Sequence, residues 1–545
     1  MKGRNEMKAD FLIRTNALFD SVNEKPYKAS IAVVGNQIAK VITGDDSEYI
    51  GADTKVLDYG DKMVMAGFVD AHDHFFDGAI TSSEHMLDLI PSKSEEHAVE
   101  MLKEYRRTHP DEKRIRGYGW FPAIWGDAPL PSCRSLDEAF PDIPVYCIAA
   151  DFHTFWCNSL ALEEAGYTED STFEGGSLGK FEDGSLNGLI FEPGAFVAAK
   201  WKAYDFSIEE NRGNMLNFIK QVAECGVTSV SDMGATDFLG GEPNPLEALQ
   251  QLTEEGRLDC RVHIYANLMA HDTFEDTKAF AEANSNDMVQ ISGVKGFVDG
   301  VTSTYTALLL EPYADRPNTC GDGAPIMDYE RFAAKTAAAN AAGLPVRAHC
   351  IGDAAVRYML DAFEHSNEVN GRHGLKNTVE HIEVINPADI PRFKEQDVIA
   401  SIQPQHLPLD EFEKSTRCGE ERAKWQWAIR SLIDAGCEVA FGTDYPVVGF
   451  NPYPSLHAAV TRCFADGKPC STNPEQAITL YESLVAYTLN SADVYGRAHE
   501  LGSIEEGKLA DIIAVDRNLF EIPEQEIKDA KTIMTMVDGR IVFEA

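Results

Sequence analysis

Polar and apolar positions alternate with a period of two at both ends of the chain, while the long middle carries short unbroken apolar runs separated by helical patterns. The opening stretches DFLIRTNALFD, KASIAVVGNQIAKVITG and TKVLDYGDKMVMAG have the alternation and the Gly, Asn and Asp punctuation of sheet, as do the closing GKLADIIAVDRNLF and KTIMTMVDGRIVFEA. Residues 1–65 and 500–545 are therefore expected to pair into one small β-sandwich domain that joins the two ends beside a larger body at 66–499.

Eight segments in that region have strand character: 63–74, 226–234, 261–269, 289–300, 344–352, 377–384, 398–406 and 438–447. From the second onward, helical patterns such as ERFAAKTAAANAAG and WAIRSLIDAG lie between them. This α/β alternation predicts a (β/α)8 barrel of the TIM type, whose reactive groups stand at the carboxyl ends of the strands. One connection is too long for a crossover. About 150 residues separate the first and second segments, which predicts an inserted subdomain over about 78–222. Four of the six tryptophans (Trp120, Trp125, Trp156 and Trp201) fall there, where they can line a pocket or build the insertion's own core.

The strand ends carry the chemistry. The run MVMAGFVDAHDH ends in His72 and His74, which project to the same side of an extended chain, whereas Asp73 points the other way and supports or packs. An isolated His-x-His is compatible with satisfied surface or core histidines. Further along, however, Lys295, His349, His381 and Asp444 stand at the ends of the fourth, fifth, sixth and eighth segments. Neutral imidazole and carboxylate suit Zn, Mn, Fe or Co, with zinc the expected divalent metal.

Composition narrows the partners. A net charge of −40, from 48 Lys+Arg against 88 Asp+Glu, repels nucleic acid and anionic membranes, so the expected partner is a small-molecule substrate. The amino-terminal residues lack the apolar core of a signal peptide, and no apolar run reaches the roughly eighteen residues of a membrane span. The 11 cysteines form no C-x-x-C pair, which suits a reducing compartment; a cytoplasmic location is expected. A homodimer is compatible with a barrel of this type, although no segment identifies an interface.

The motifs AGFVDAHDHF, DFHTFWCNSLAL, GVTSVSDMG, VKGFVDG, AHCIGDAAV, VEHIE, ASIQPQH, AFGTDYPV and LGSIEEGKLADIIAVD together resemble the amidohydrolase superfamily, and within it the YtcJ-like group, amidohydrolase family 3. The resemblance implies that His72, His74 and Asp444 hold one metal, that His349 and His381 hold a second, and that Lys295 is N6-carboxylated and bridges them. A plain ammonium has no lone pair to offer. With Lys295 unmodified, a mononuclear set of His72, His74, His349 and Asp444 remains, and His381 turns to substrate. The segment at 151–162 resembles the family's G-H-x-x-W-x-N-S motif with Phe152 in place of the glycine; His153, Trp156, Asn158 and, separately, Glu192 are candidate substrate contacts. The implied reaction is hydrolysis of a non-peptide amide (N-substituted formamide, N-acyl, or cyclic or aryl amide) by metal-activated water, with Asp444 as the catalytic proton carrier. Deamination of an amidine-like ring at a single metal and a non-catalytic regulatory relative are the alternatives.

Overall fold

The apolar run that begins at Met63 does not stay in one sheet. In the computed structural model its first half, Met63–Ala66, pairs with Phe11–Phe19 and, antiparallel, with Ile512–Val515 from the far end of the chain. Its second half, Phe68–Val69, pairs with Val227–Thr236 as the first strand of a different sheet. The switch falls at Gly67, whose amide donates to Asp511 O at 3.0 Å. A Cβ at Gly67 would lie 2.2 Å from Cγ2 of Thr228, so only glycine allows this close approach. The structure describes residues 8–545 except 123–124, 127–128, 151, 174, 240–244, 322–327 and 471–472, and the side chains of 193 and 409–414.

All eight expected barrel segments contain a strand: Phe68–Val69, Val227–Thr236, Arg261–Asn267, Val289–Phe297, Val346–Cys350, Thr378–His381, Ile399–Ile402 and Val439–Phe441. They form one all-parallel sheet in chain order. The sheet curls until its ends meet: Ala71 N donates to Phe441 O at 3.0 Å, and Asp444 N to His72 O at 2.7 Å. This is a TIM-type barrel arrangement, and its strands read as continuous apolar runs because helices cover the outside and side chains fill the inside.

Strands from both ends of the chain come together in one hydrogen-bonded sheet of eight. Ile13, Ile38, Val64, Ile512 and Met534, drawn from the middle and from near both margins, share one apolar interior, so the sheet wraps on itself. Arg261, at the start of the third barrel strand, fastens it to the barrel. Its guanidinium donates to both carboxylate oxygens of Asp511 at 2.7 and 3.0 Å and to Asp538 at 3.1 Å.

The insertion has its own six-stranded sheet, running from Leu87–Asp88 to Leu186–Phe191, and its own cores. Helix Ile208–Glu224, opened by a Ser207/Glu210 capping box, buries Phe218, Ile219 and Val222 in the barrel's cluster and is a barrel element. Helix Pro193–Ala203 brings Phe196, Lys200 and Trp201 to the cavity that His72 and Lys295 also line. Among the described residues no helix is long and apolar enough to cross a membrane.

Candidate metal centre

His72 and His74 aim their Nε2 atoms at one carboxylate oxygen, Oδ1 of Asp444, at 3.3 and 3.1 Å. One ligand atom from each of the three residues lies within 4.8 Å of the others. The tautomer of His72 follows from its other nitrogen: Nδ1 is 2.6 Å from Glu380 Oε2, and a carboxylate can only accept. Nδ1 therefore carries the proton, and in the neutral ring Nε2 presents a lone pair toward the lone pairs of Asp444. A positive charge has to sit between them, and three converging N and O donors suit a divalent ion. Burial pushes the Asp444 carboxyl up, but the imidazoles around it, His72 first, outweigh it and hold the group well below the ordinary range, as an anion.

A second set of donors adjoins the first. The rings of His349 and His381 are 4.4 Å apart, and His381 is 4.7 Å from the ring of His72. Burial drives both imidazoles well below their usual pKa, the neutral state that ligation requires. His349 Nε2 donates to Gly300 O at 3.2 Å, which leaves Nδ1 with the lone pair, and His381 Nδ1 stands 4.0 Å from Asp444 Oδ2. Lys295 is fully buried on the fourth barrel strand; burial brings its pKa down to about 8 against the pull of Glu380 and Asp444. His72 Nε2, His381 Nδ1 and Lys295 Nζ are all buried without a hydrogen-bond partner among the described residues. Orphaned donors and acceptors converging on one point fit a site built for metal. The backbone is held unusually here too, with φ of 71° at His381 and 62° at Asp444.

The structure adds three residues that the sequence reading did not select. Glu380 lies behind His72, Arg347 donates to Glu380 from Nε at 2.6 Å, and His406 Nε2 is 3.7 Å from Asp444 Oδ2. His406 closes the seventh predicted segment and so carried the same strand-end signal as the others. Glu380 and Arg347 carried none, because their role depends on a pairing across the barrel. Asp73 is buried with both carboxylate oxygens unpartnered among the described residues, and burial first, then Asp70, pushes its pKa well above the ordinary value.

The insertion candidates separate into two groups. His153 and Glu192 stand together, Nδ1 to Oε2 at 2.6 Å, with the His153 ring 5.8 Å from that of His349; Glu192 also accepts from Thr306 Oγ1 at 3.2 Å. Trp156 and Asn158 are elsewhere, inside the insertion. Trp156 packs edge-on against Trp120 at 5.9 Å and donates to Ser132 O. Asn158 caps helix Ser159–Glu164 and ties together the backbone of Val145, Phe140 and Ile143. The glycine-to-phenylalanine departure at Phe152 coincides with a φ of 58°, a conformation that glycine adopts readily.

Above the donors opens a cavity of about 450 Å³ that takes in His72, His74, Lys295, His349, His381 and Asp444 on its floor. Its walls are largely apolar, with Phe196 and Trp201 from the insertion facing Phe76, Met215 and Met269 from the barrel. The charged Lys200 in the same wall is paired with Asp77 at 2.7 Å.

Comparison with known proteins agrees with this architecture. The profile of the Amidohydrolase family matches residues 55–543. The chain is 29% identical to the Arabidopsis thaliana Protein LONG AFTER FAR-RED 3 over 98% of this chain and 92% of that one. It is 26% identical to the putative amidohydrolase YtcJ of Bacillus subtilis (91% and 92% covered) and 25% identical to the N-substituted formamide deformylase of Arthrobacter pascens (94% and 95%). Among solved structures, an uncharacterized metal-dependent hydrolase from Pyrococcus horikoshii superposes with a TM-score of 0.74 at 26% identity, covering 94% of this chain and 99% of the other. With a barrel whose strand ends deliver histidines and an aspartate to one point, and a family profile that spans nearly its whole length, the chain belongs to the amidohydrolase family, as a YtcJ-like, metal-dependent hydrolase of carbon–nitrogen bonds.

Proposed function

We propose that the chain hydrolyses non-peptide amides, and that its preferred substrate is an N-substituted formamide with an apolar substituent on nitrogen. The observation that carries this reading is the cavity itself. A floor of metal-capable donors is topped by largely apolar walls, whose charges are the Lys200–Asp77 pair with Asp205, Asp232 and Arg331, so the reacting amide meets polar groups while its substituent meets rings. The likeness to the formamide deformylase of Arthrobacter pascens, over nearly the full length of both chains, supports the same class.

His72, His74 and Asp444 would hold one divalent ion, here assigned as zinc, with His349 and His381 beside it. When bound, such an ion supplies Lewis acidity and lowers the pKa of water from about 15.7 toward about 7. Asp444 directs Oδ1 at the two histidines and keeps Oδ2 toward His381 and His406. That second oxygen takes a proton from the attacking water and returns it to the departing nitrogen. His153, with its proton held on Nδ1 by Glu192, is assigned to the substrate N–H, which its Nε2 can accept. The apolar walls exclude bulk water, which strengthens each of these electrostatic contacts.

Lys295 is assigned as an N6-carboxylated lysine. Its buried amine adds to carbon dioxide, forming a carbamate N–C bond and releasing one proton, and the product offers oxygen donors in place of an unpartnered ammonium. Two ions per chain are then expected; the unmodified lysine leaves the mononuclear set. The free thiols at all 11 cysteines support a reducing, cytoplasmic setting.

The test uses zinc-loaded protein and follows release of formate and amine from a series of N-alkyl and N-arylalkyl formamides, with N-acetyl and cyclic amides alongside. Turnover that rises with the size of the apolar substituent is expected. Absence of hydrolysis across all three amide classes by protein that does contain metal would overturn the assignment.

A further inference from the structure

His72 is backed by a charge pair buried in the barrel interior. Glu380 accepts from His72 Nδ1 through Oε2 and from Arg347 Nε through Oε1, both at 2.6 Å, and the side chains of all three residues are completely shielded from solvent. Arg347 and Glu380 come from the neighbouring fifth and sixth strands, whereas His72 follows the first, so the contact crosses the barrel. The Arg347 guanidinium lies 4.8 Å over the Tyr265 ring, and its Nη1 and Nη2 have no hydrogen-bond partner among the described residues. Arginine is thus committed to a single carboxylate, and that carboxylate is divided between arginine and one imidazole.

Such a pair is a poor stabiliser. Removing two charges from water is costly, and well-packed apolar replacements of buried pairs are often neutral or stabilising. Packing alone therefore does not account for Arg347 and Glu380. A carboxylate behind a ligating imidazole, by contrast, fixes the ring's tautomer and orientation and raises its basicity as a donor.

We infer that Arg347 and Glu380 are positioning residues: Arg347 orients Glu380, and Glu380 holds His72 with its proton on Nδ1 and its Nε2 lone pair directed at the point shared with His74 and Asp444. The inference rests on reading that point as a metal centre. It makes metal affinity at His72 depend on two side chains that touch neither metal nor substrate.

Zinc affinity of the full-length, metal-free protein, measured by competition with a chromophoric chelator, tests it on wild type, Glu380→Gln and the double variant Arg347→Met/Glu380→Leu. An amide oxygen can still accept the Nδ1 proton of His72, so Glu380→Gln removes charge while keeping the hydrogen bond. The double variant strands no charge, and its metal-free thermal midpoint is expected at or above that of wild type. Both variants should bind zinc about 10–100-fold more weakly, with an altered visible spectrum when loaded with cobalt. If Glu380→Gln fails to fold, the double variant carries the test. Folded variant protein that holds zinc within about two-fold of wild type overturns the positioning role, since loss of a carboxylate that backs a ligating imidazole costs more than that. Wild-type protein that holds no zinc would instead remove the metal centre, a distinct result read from the first sample alone.

Discussion

At the scale of single residues, Asp444 stands where two requirements meet: one oxygen joins His72 and His74, and the other remains beside His381 and His406. Asp444→Asn keeps the shape and removes both the anion and the proton acceptor. Its kcat against the proposed formamides should fall by about 10²–10⁴-fold or more while the thermal midpoint of the metal-free protein stays near wild type, which steady-state kinetics and calorimetry check together. A second prediction concerns His263, on the third barrel strand and away from the metal donors. Its ring stacks on Tyr495 at 3.8 Å and its Nδ1 is 3.0 Å from Ser292 Oγ. Burial first, then the charges of Arg497, Arg261 and Arg347, hold its pKa well below 6.5. Below pH 6.5 the unfolded chain takes up a proton at this position and the folded protein does not, so stability is lost as pH falls. Relative to His263→Gln, wild type should lose up to about 1.4 kcal/mol per pH unit below about 6.5. Urea unfolding of both proteins at about pH 7.5 and about pH 5.5 measures the difference; an unchanged gap between them would rule the effect out.

At the scale of elements, the insertion divides sharply between residues that reach the cavity and residues that hold the insertion together. Asn158 belongs to the second kind, capping a helix and satisfying buried backbone groups on the neighbouring strand and loop. Asn158→Ala should cost about 1 kcal/mol for the lost cap and about 1–3 more for stranded backbone groups, with kcat per folded molecule unchanged. A drop in kcat without a drop in stability would return Asn158 to the substrate. The motif around it was legible, but its purpose was not, because a capping asparagine and a substrate-binding one look identical in a linear string. The barrel strands were legible for a physical reason: a parallel strand covered on both faces is a continuous apolar run, and His349, His381 and Asp444 each sit at or just past the end of one. The division of the first run at Gly67 was not. Apart from one glycine, MVMAGFVDA changes neither hydropathy nor period where it leaves one sheet for the other. The Arg347–Glu380 pair was hidden for the complementary reason, since its two members lie 33 positions apart and only strand pairing brings them together.

At the scale of the whole molecule, a fully buried arginine is one of the links between the barrel and the terminal sheet. Arg261 donates to both oxygens of Asp511, and Asp511 O in turn accepts the amide of Gly67. Arg261→Met leaves Asp511 buried and without that partner, and should lower unfolding free energy by about 3–5 kcal/mol in denaturant titrations. The loss should include a separate early transition if the two sheets come apart before the barrel melts. The switch at Gly67 has a practical outcome for anyone dissecting the protein. The residues that lead into His72 and His74 are moored, a few positions upstream, in a sheet completed by the last strands of the chain. Trimming the carboxyl end, or excising the barrel to use it as a minimal enzyme, should therefore release the tether of both histidines, and metal retention should be lost before any barrel helix is touched.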